Sequence, residues 1–386
     1  MSELRSRPWT VVQLIPAMDT GGAQRSTLEV AAALVAAGHR SIVISAGGAW
    51  VPKLTAAGSE HFRMPIGRKS LRVVLRIRKL RALLRSLNAD LVHARSRLPA
   101  WLGLAAMFGM SPRPAFVTTV HGLNSVNAYS AVMSRGDRVI AVSETARHHL
   151  IRNYPRLDAH RIRVIPRGVD PLEFVPGTRN GPAWSEEFLE EFPQLRGFPL
   201  LTLPGRGTRL KGHAVAIDLL ARLAQAGSPA RLLLLGVIEP EREDYLAELR
   251  ARAESLGVLD RVVFTPSRAD VFEVYLLSDV VLQLSIRPES FGRVVIEALS
   301  LGRPVLGYAH GGVGELLQRH FPAGAVEPFD IDALTTAALT LLEVHTPAEV
   351  VGHLPQVSDL QRLTLAVYAE LIEGAAVDLA FADGRT

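Results

Sequence analysis

Apolar residues fall along the chain in short runs, and between the runs they return every three or four positions. The runs predict strands and the spaced positions predict helices. In the first half, strands are expected at 10–15, 41–45, 90–93, 115–120, 138–142 and 163–165. In the second half they are expected at 199–203, 231–236, 262–265, 280–284, 304–308 and 325–327. Helical patterns such as 24–37, 214–226 and 241–256 lie between them. The strands are nearly continuous in apolar character rather than alternating. Such strands are buried on both faces, which predicts an α/β fold with doubly wound parallel sheets. Ligands in these folds sit beyond the carboxyl ends of the strands, so chemistry is to be sought in the loops that follow them.

At 386 residues the chain exceeds one typical core and suits two domains. A boundary is expected at Pro166-Arg-Gly-Val-Asp-Pro171, followed by an irregular segment, 175–197, rich in Gly, Pro and acidic residues. The expected parts are a first domain 1–166, a crossing and linker 167–197, a second domain 198–358, and a final stretch 359–386. That stretch holds an amphipathic helix returning to the first domain, then a tail.

Composition narrows the classes. Apolar residues make up 48% and charged residues 21%, as in a soluble globular protein. Cysteine is absent, which removes disulfides and thiolate chemistry. The opening residues carry no signal-peptide-like run, and no uncharged apolar stretch has the length of a membrane span. A cytoplasmic protein is expected. The net charge of +5 is uneven, with Arg68, Lys69, Arg72, Arg76, Arg78, Lys79, Arg81 and Arg85 inside 68–85. On a helix, Val73, Ile77, Leu80 and Leu84 share one face. This is either a surface helix with solvated arginines or a patch for anionic membrane lipid or an anionic acceptor. Nucleic acid is disfavoured, because aromatics and a binding motif are lacking.

Several loops after strands can carry chemistry. Gly21 and Gly22 open a helix, where unpaired N–H groups and close backbone approach suit an anion; a plain βα turn explains them equally. His121 ends one strand and His93 another, each as apt to satisfy a loop carbonyl as to act on a ligand. Arg206 and Lys211 bracket a Gly-rich turn after the first strand of the second half. A guanidinium fork and an ammonium point charge there suit a pyrophosphate; the alternative is an exposed basic loop. Asp330 and Asp332 look like metal ligands but precede a helix, where Asp is an ordinary N-cap. No His, Asp or Glu cluster has metal-site spacing, and no metal or cofactor is expected.

The most informative stretch is 288–304. Ser290 is expected to cap a helix that Gly302 ends and Pro304 keeps from continuing. Glu289 precedes that helix and Glu297 lies about two turns into it. Their carboxylates would be roughly 10 Å apart along the axis, too far to share a proton or a metal. They suit two hydroxyl-bearing ends of one ligand, with the N–H groups of Ser290, Phe291 and Gly292 meeting phosphate between them. The alternative is a capped helix with one solvated and one core-facing glutamate.

With Ser-Phe-Gly between them and Glu-Ala-Leu-Ser-Leu-Gly-Arg-Pro-Val downstream, Glu289 and Glu297 resemble the Glu-x7-Glu motif of the GT4 family of retaining GT-B glycosyltransferases. Gly205-Arg206 with Lys211-Gly212-His213 is similar to that family's donor-phosphate loop. Gly21-Gly22-Ala23, Ala141-Val-Ser143 and Ile165-Pro-Arg-Gly-Val-Asp170 extend the likeness over nearly the whole chain. The resemblance implies two Rossmann-like domains facing across a cleft, the first holding a glycan or glycolipid acceptor and the second a nucleotide-sugar donor. It implies Arg206 and Lys211 at the donor diphosphate, Glu297 at the ribose and Glu289 at sugar hydroxyls. His121 would lie beside the sugar and leaving phosphate, and the backbone of Ser267 and Arg268 at the base. It further implies retention of configuration without a metal. Arg167 departs from the Asn usual in the crossing. The stretch from His93 to Trp101 resembles members acting on lipopolysaccharide core. A non-hydrolysing nucleotide-sugar 2-epimerase and a non-catalytic binding protein are the rival readings.

Overall fold

The computed structural model describes residues 7–19, 21–67, 73–171, 182–344 and 347–374. The chain forms two compact units, one of Met1–Gly168 with Val357–Thr386 and the other of Val169–Gln356.

The first unit runs β1 (Thr10–Leu14), α1 (Gly22–Ala36), β2 (Arg40–Ser45), α2 (Val51–Ala56), β3 (Glu60–Arg63) and α3 (Val73–Ser86). It continues with β4 (Leu91–Ala94), α4 (Arg97–Met107), β5 (Ala115–Val120), β6 (Arg138–Ala141), α5 (Glu144–Asn153) and β7 (Ile162–Val164). The seven strands form one sheet in the order β3-β2-β1-β4-β5-β6-β7. All pairings are parallel. Val11, Val12, Val92, Val117 and Ile140 are buried in it, as continuous apolar strands require.

The second unit runs α6 (Pro182–Glu191), β8 (Leu200–Pro204), α7 (His213–Gln225), β9 (Arg231–Ile238), α8 (Glu243–Ser255), β10 (Val262–Pro266) and α9 (Val271–Leu277). Then come β11 (Val280–Gln283), α10 (Arg293–Ser300), β12 (Val305–Tyr308), α11 (Gly311–His320), β13 (Ala325–Val326) and α12 (Ile331–Val344). Its six strands are ordered β10-β9-β8-β11-β12-β13, again parallel. In each sheet the strand order reverses once, between β1 and β4 and between β8 and β11. Crevices at carboxyl ends open at such reversals, which places the loops after those strands where ligands bind.

The last helix, α13 (Val357–Glu373), belongs to the first unit. Leu360, Leu363, Val367 and Tyr368 pack with Trp9, Val30, Leu34 and Ile140. Polar anchors flank that contact: Arg138 and Arg163 both meet Glu370, at 2.5 and 2.8 Å. The Tyr368 hydroxyl lies 2.6 Å from His93 Nδ1, and His93 Nε2 lies 2.6 Å from Thr119 Oγ1. His93 is thus a fully buried, satisfied core residue. Replacing Tyr368 by phenylalanine strands one ring nitrogen and is expected to lower stability by about 1–2 kcal/mol. Urea denaturation of the variant checks this.

The structure departs from the sequence pattern in two places. The segment 175–197, expected to be irregular, contains α6, because Trp184, Phe188 and Phe192 recur every fourth residue and pack together with ring centroids 5.0 Å apart. The strand β3 is additional to the expected strands: it is a short edge strand of Glu, His, Phe and Arg with no apolar run.

In α3, Leu80 and Leu84 are fully buried, while Arg81 donates to the Ala106 and Phe108 carbonyls at 2.8 and 2.6 Å and so finishes α4. Residues 68–72 of the basic segment lie outside the described residues. Among the described residues no helix is long and apolar enough to cross a membrane.

Candidate functional site

In the second unit the loop after β8 passes over the end of β11 through Gly212. That residue has φ 79°, and a Cβ there would stand 2.0 Å from the Leu284 carbonyl oxygen, so only glycine fits. Ile286 N donates to the Leu210 carbonyl at 2.9 Å and holds the two loops together. Lys211 is thereby carried to Glu289: Nζ donates to Oε1 at 2.7 Å. Gln283 Nε2, 3.0 Å away, and the Ser285 hydroxyl donate to the same oxygen. Burial alone would raise the Glu289 pKa, but the Lys211 charge and these bonds outweigh it and hold the carboxylate below its ordinary value. The loop after β12 closes the other side. His310 Nε2 donates to the Ser285 carbonyl at 2.8 Å, and Gly312 N to the Glu289 carbonyl at 2.8 Å. A Cβ at Gly312 would lie 2.5 Å from Phe291 Cα. Gln283, Ser285 and His310 carried no motif of their own; only their positions at strand ends pointed to them.

His213 supports the loop after β8 from behind. It is fully buried, its ring lies against the backbone of Gly205 and Thr208, and Nδ1 is 3.4 Å from the Tyr245 hydroxyl. Burial lowers its pKa from 6.5 to about 4. The unfolded chain takes up this proton near pH 6.5 and the folded chain near 4. Stability is therefore full above pH 6.5 and falls by on the order of 3 kcal/mol as pH drops through that window. Denaturant midpoints at several pH values check this; a midpoint that stays constant on acidification would count against a buried neutral His213. Arg206 is exposed, and its side chain makes no hydrogen bond or ion pair with the described residues.

The helix α10 begins at Arg293, with Gly292 (φ 118°) at its cap and no side-chain cap bond. Ser290 is therefore not the cap residue: the glycine turn delays the helix by two positions. Glu297 consequently sits about one turn, not two, into the helix. It is 9% exposed and accepts from Arg293 Nε at 3.0 Å. Phe291 is buried. A Cβ at Gly236, in β9, would lie 3.3 Å from the Gly205 carbonyl oxygen and 3.8 Å from Ser267 Cα, so three strand ends converge there. The Arg268 guanidinium turns elsewhere, pairing with Asp270 and Glu191 at 2.9 Å and lying over the Phe188 ring. It fastens α6, leaving only its backbone beside Ser267. Asp330 Oδ1 accepts from Ala333 N at 2.9 Å and caps α12. Among the described residues no three His, Asp or Glu side chains gather as a metal site.

The first unit holds the remaining candidates. Gly21 (φ 151°) caps α1, and Gly22 has open space where a Cβ would be. His121, half-buried, follows β5; its Nδ1 meets the Arg167 guanidinium. Burial, then Arg167, Arg95 and His93, hold its pKa well below the usual value. Arg95 is buried against Gln13, 2.9 Å from Nε.

Two dinucleotide-fold-like sheets, with cations and carboxylates gathered at a strand-order reversal, define a class that sequence comparison resolves. The Glycosyltransferase Family 4 model matches residues 20–172, and the Glycosyl transferases group 1 model matches residues 186–350. The chain belongs to the GT4 family of GT-B glycosyltransferases. It is 31% identical over 230 residues to the D-inositol 3-phosphate glycosyltransferase of Segniliparus rotundus, covering 59% of this chain and 47% of that one. The chain thus spans about half the length of the curated relatives it matches. Among solved structures, a glycosyltransferase from Rickettsia africae is 25% identical with a TM-score of 0.81, covering 96% of this chain and all of the other. Anabaena HepE in complex with UDP and glucose shares the fold, with a TM-score of 0.72 at 20% identity over 94% of this chain and 99% of its own.

Proposed function

We propose that the protein is a retaining glycosyltransferase. It moves a sugar from a nucleotide diphosphate sugar to a glycan or glycolipid acceptor in the synthesis of lipopolysaccharide or another cell-envelope polysaccharide. It works without a metal or other cofactor. The observation that carries this reading is the meeting of Lys211 and Glu289 at the reversal of the second sheet.

Lys211 and the exposed Arg206 take the charge of the departing diphosphate, helped by the N–H groups of Ser290, Phe291 and Gly292. Glu289 is gripped through Oε1, and its Oε2 accepts no bond from the described residues, so it faces the donor sugar's hydroxyls. Glu297 meets the ribose, and the backbone at Ser267 and Arg268 meets the base. Gly21 and Gly22 contribute to donor binding, and His121 acts beside the sugar and the leaving phosphate. The bond from the sugar's anomeric carbon to phosphate breaks while the acceptor oxygen bonds to that carbon from the same face. The acceptor's proton passes to the leaving phosphate.

The lipopolysaccharide assignment is supported by the stretch from His93 to Trp101. Peripheral contact with anionic membrane is supported by exposed Arg78, Lys79 and Arg85 on α3, with Val74, Leu75 and Phe108 exposed nearby. Cosedimentation with vesicles containing anionic lipid is expected, and loss of it at high salt.

Labelled nucleotide sugars incubated with candidate acceptors test the central reading, with nucleotide and sugar both followed. Transfer of sugar with equal release of nucleoside diphosphate is expected. A new nucleotide sugar without transfer would make the protein an epimerase; tight binding without turnover would make it a non-catalytic binder.

A further inference from the structure

We infer that Arg167 is a positioning residue that fixes the His121 ring in a single neutral tautomer, with its proton on Nε2. The tautomer follows from the structure alone; its use in sugar transfer rests on the function proposed above.

His121 arrives at the end of β5 and Arg167 three residues after β7 ends. Arg167 is 5% exposed. One of its nitrogens, Nη1, donates to the Ser26 hydroxyl, and Nη2 meets His121 Nδ1. A guanidinium has N–H donors and no acceptor. Nδ1 must therefore accept, and in the neutral ring the remaining proton lies on Nε2. A protonated ring would set N–H against N–H and one cation against another.

The surroundings reinforce this. The charged and titratable groups facing the ring are Arg167 from the segment after β7, and Arg95 and His93 from β4 and its loop. His93 is itself occupied by Tyr368 of α13 and Thr119 of β5. Arg95 is held by Gln13 of β1, and the carboxylate acting on it is Glu29 of α1, which pairs with Arg25 at 3.1 Å. Both arginines push against a charged imidazole. Ser26 gives Arg167 a second fixed point: its hydroxyl donates to the Gly22 carbonyl at 3.1 Å, which ties the arrangement to the start of α1.

An amide offers either an oxygen or an N–H to Nδ1 and leaves the tautomer open, whereas arginine dictates it. His121 then serves as a neutral donor through Nε2–H toward an oxygen of the reacting sugar or phosphate, and not as a base at Nδ1.

Long-range proton–nitrogen correlation spectra of the full chain test the inference, with His121 assigned by its loss in His121→Gln. The expected wild-type spectrum shows an unprotonated Nδ1 and a protonated Nε2, unchanged from about pH 8 to about pH 5.5. Arg167→Lys, still a pure donor, is expected to keep that pattern. Arg167→Gln is expected to mix the tautomers and to raise the pH at which the ring takes up a proton, with burial and Arg95 still opposing it. Its transfer rate should gain an acid limb that the wild type lacks. A proton on Nδ1 in the wild type, or an Arg167→Gln spectrum identical to it, overturns the inference. The spectra need no substrate, so failure of the transferase reading would leave this result standing or falling by itself.

Discussion

Replacing Lys211 by alanine is expected to lower kcat/KM for sugar transfer by about a thousandfold, a loss of about 4 kcal/mol of transition-state stabilisation. The fold should survive. Lys211 and Glu289 are partly solvated, with side-chain exposures of 24% and 28%, and pairs of that kind contribute about 1 kcal/mol or less to stability. In the proposed mechanism the same ammonium meets charge that develops on the leaving diphosphate, where water is displaced and the interaction is stronger. Arg206→Ala should follow with a smaller loss, about a hundredfold, because its guanidinium is exposed and must be ordered on binding. Steady-state kinetics beside a denaturation curve decide the matter. Near-normal transfer by both variants would remove the diphosphate from this loop.

Glu289→Gln separates sugar handling from phosphate handling. The amide keeps the shape of the side chain but removes the charge that Lys211, Ser285 and Gln283 now satisfy. Gln283 then faces another amide, and Lys211 is released toward phosphate. Transfer is expected to drop about a hundredfold or more. Binding of the nucleoside diphosphate without its sugar should be unchanged or tighter. Calorimetric titration with diphosphate and with nucleotide sugar distinguishes the two effects. Equal weakening for both ligands would mean that Glu289 supports the loop and does not meet the sugar.

Much of the fold was legible because buried parallel strands advertise themselves: runs such as Leu232–Leu235 and Val280–Leu282 leave little else to form. The exceptions have physical causes. The strand β3 pairs only with β2 and is partly exposed, so burial never selected an apolar run there. The helix α6 lies in a stretch whose Pro, Gly and Glu content reads as linker; the fourfold spacing of Trp184, Phe188 and Phe192 was its signal.

Within the candidate site, the Glu-x7-Glu pattern and the Arg206–Lys211 loop were visible as separate motifs. Their joining was not. Lys211 and Glu289 are 78 residues apart, and their contact depends on Gly212 crossing the Leu284 carbonyl, a backbone event that no spacing rule encodes. Serine at 290 suits a helix cap, but the left-handed Gly292 starts the helix later. Arg167 stood out only as an unusual residue in the crossing. Its partners, Ser26 and His121, come from the first turns of α1 and from the end of β5.

The most direct test of the account is a proton NMR time course with nucleotide sugar and acceptor, run on the wild type and on Lys211→Ala. Nucleoside diphosphate and a new glycoside are expected to appear in equal amounts in the wild type, with the donor's anomeric configuration kept, and both are expected nearly to vanish in the variant. A glycoside of inverted configuration, or loss of donor with no glycoside formed, would contradict it.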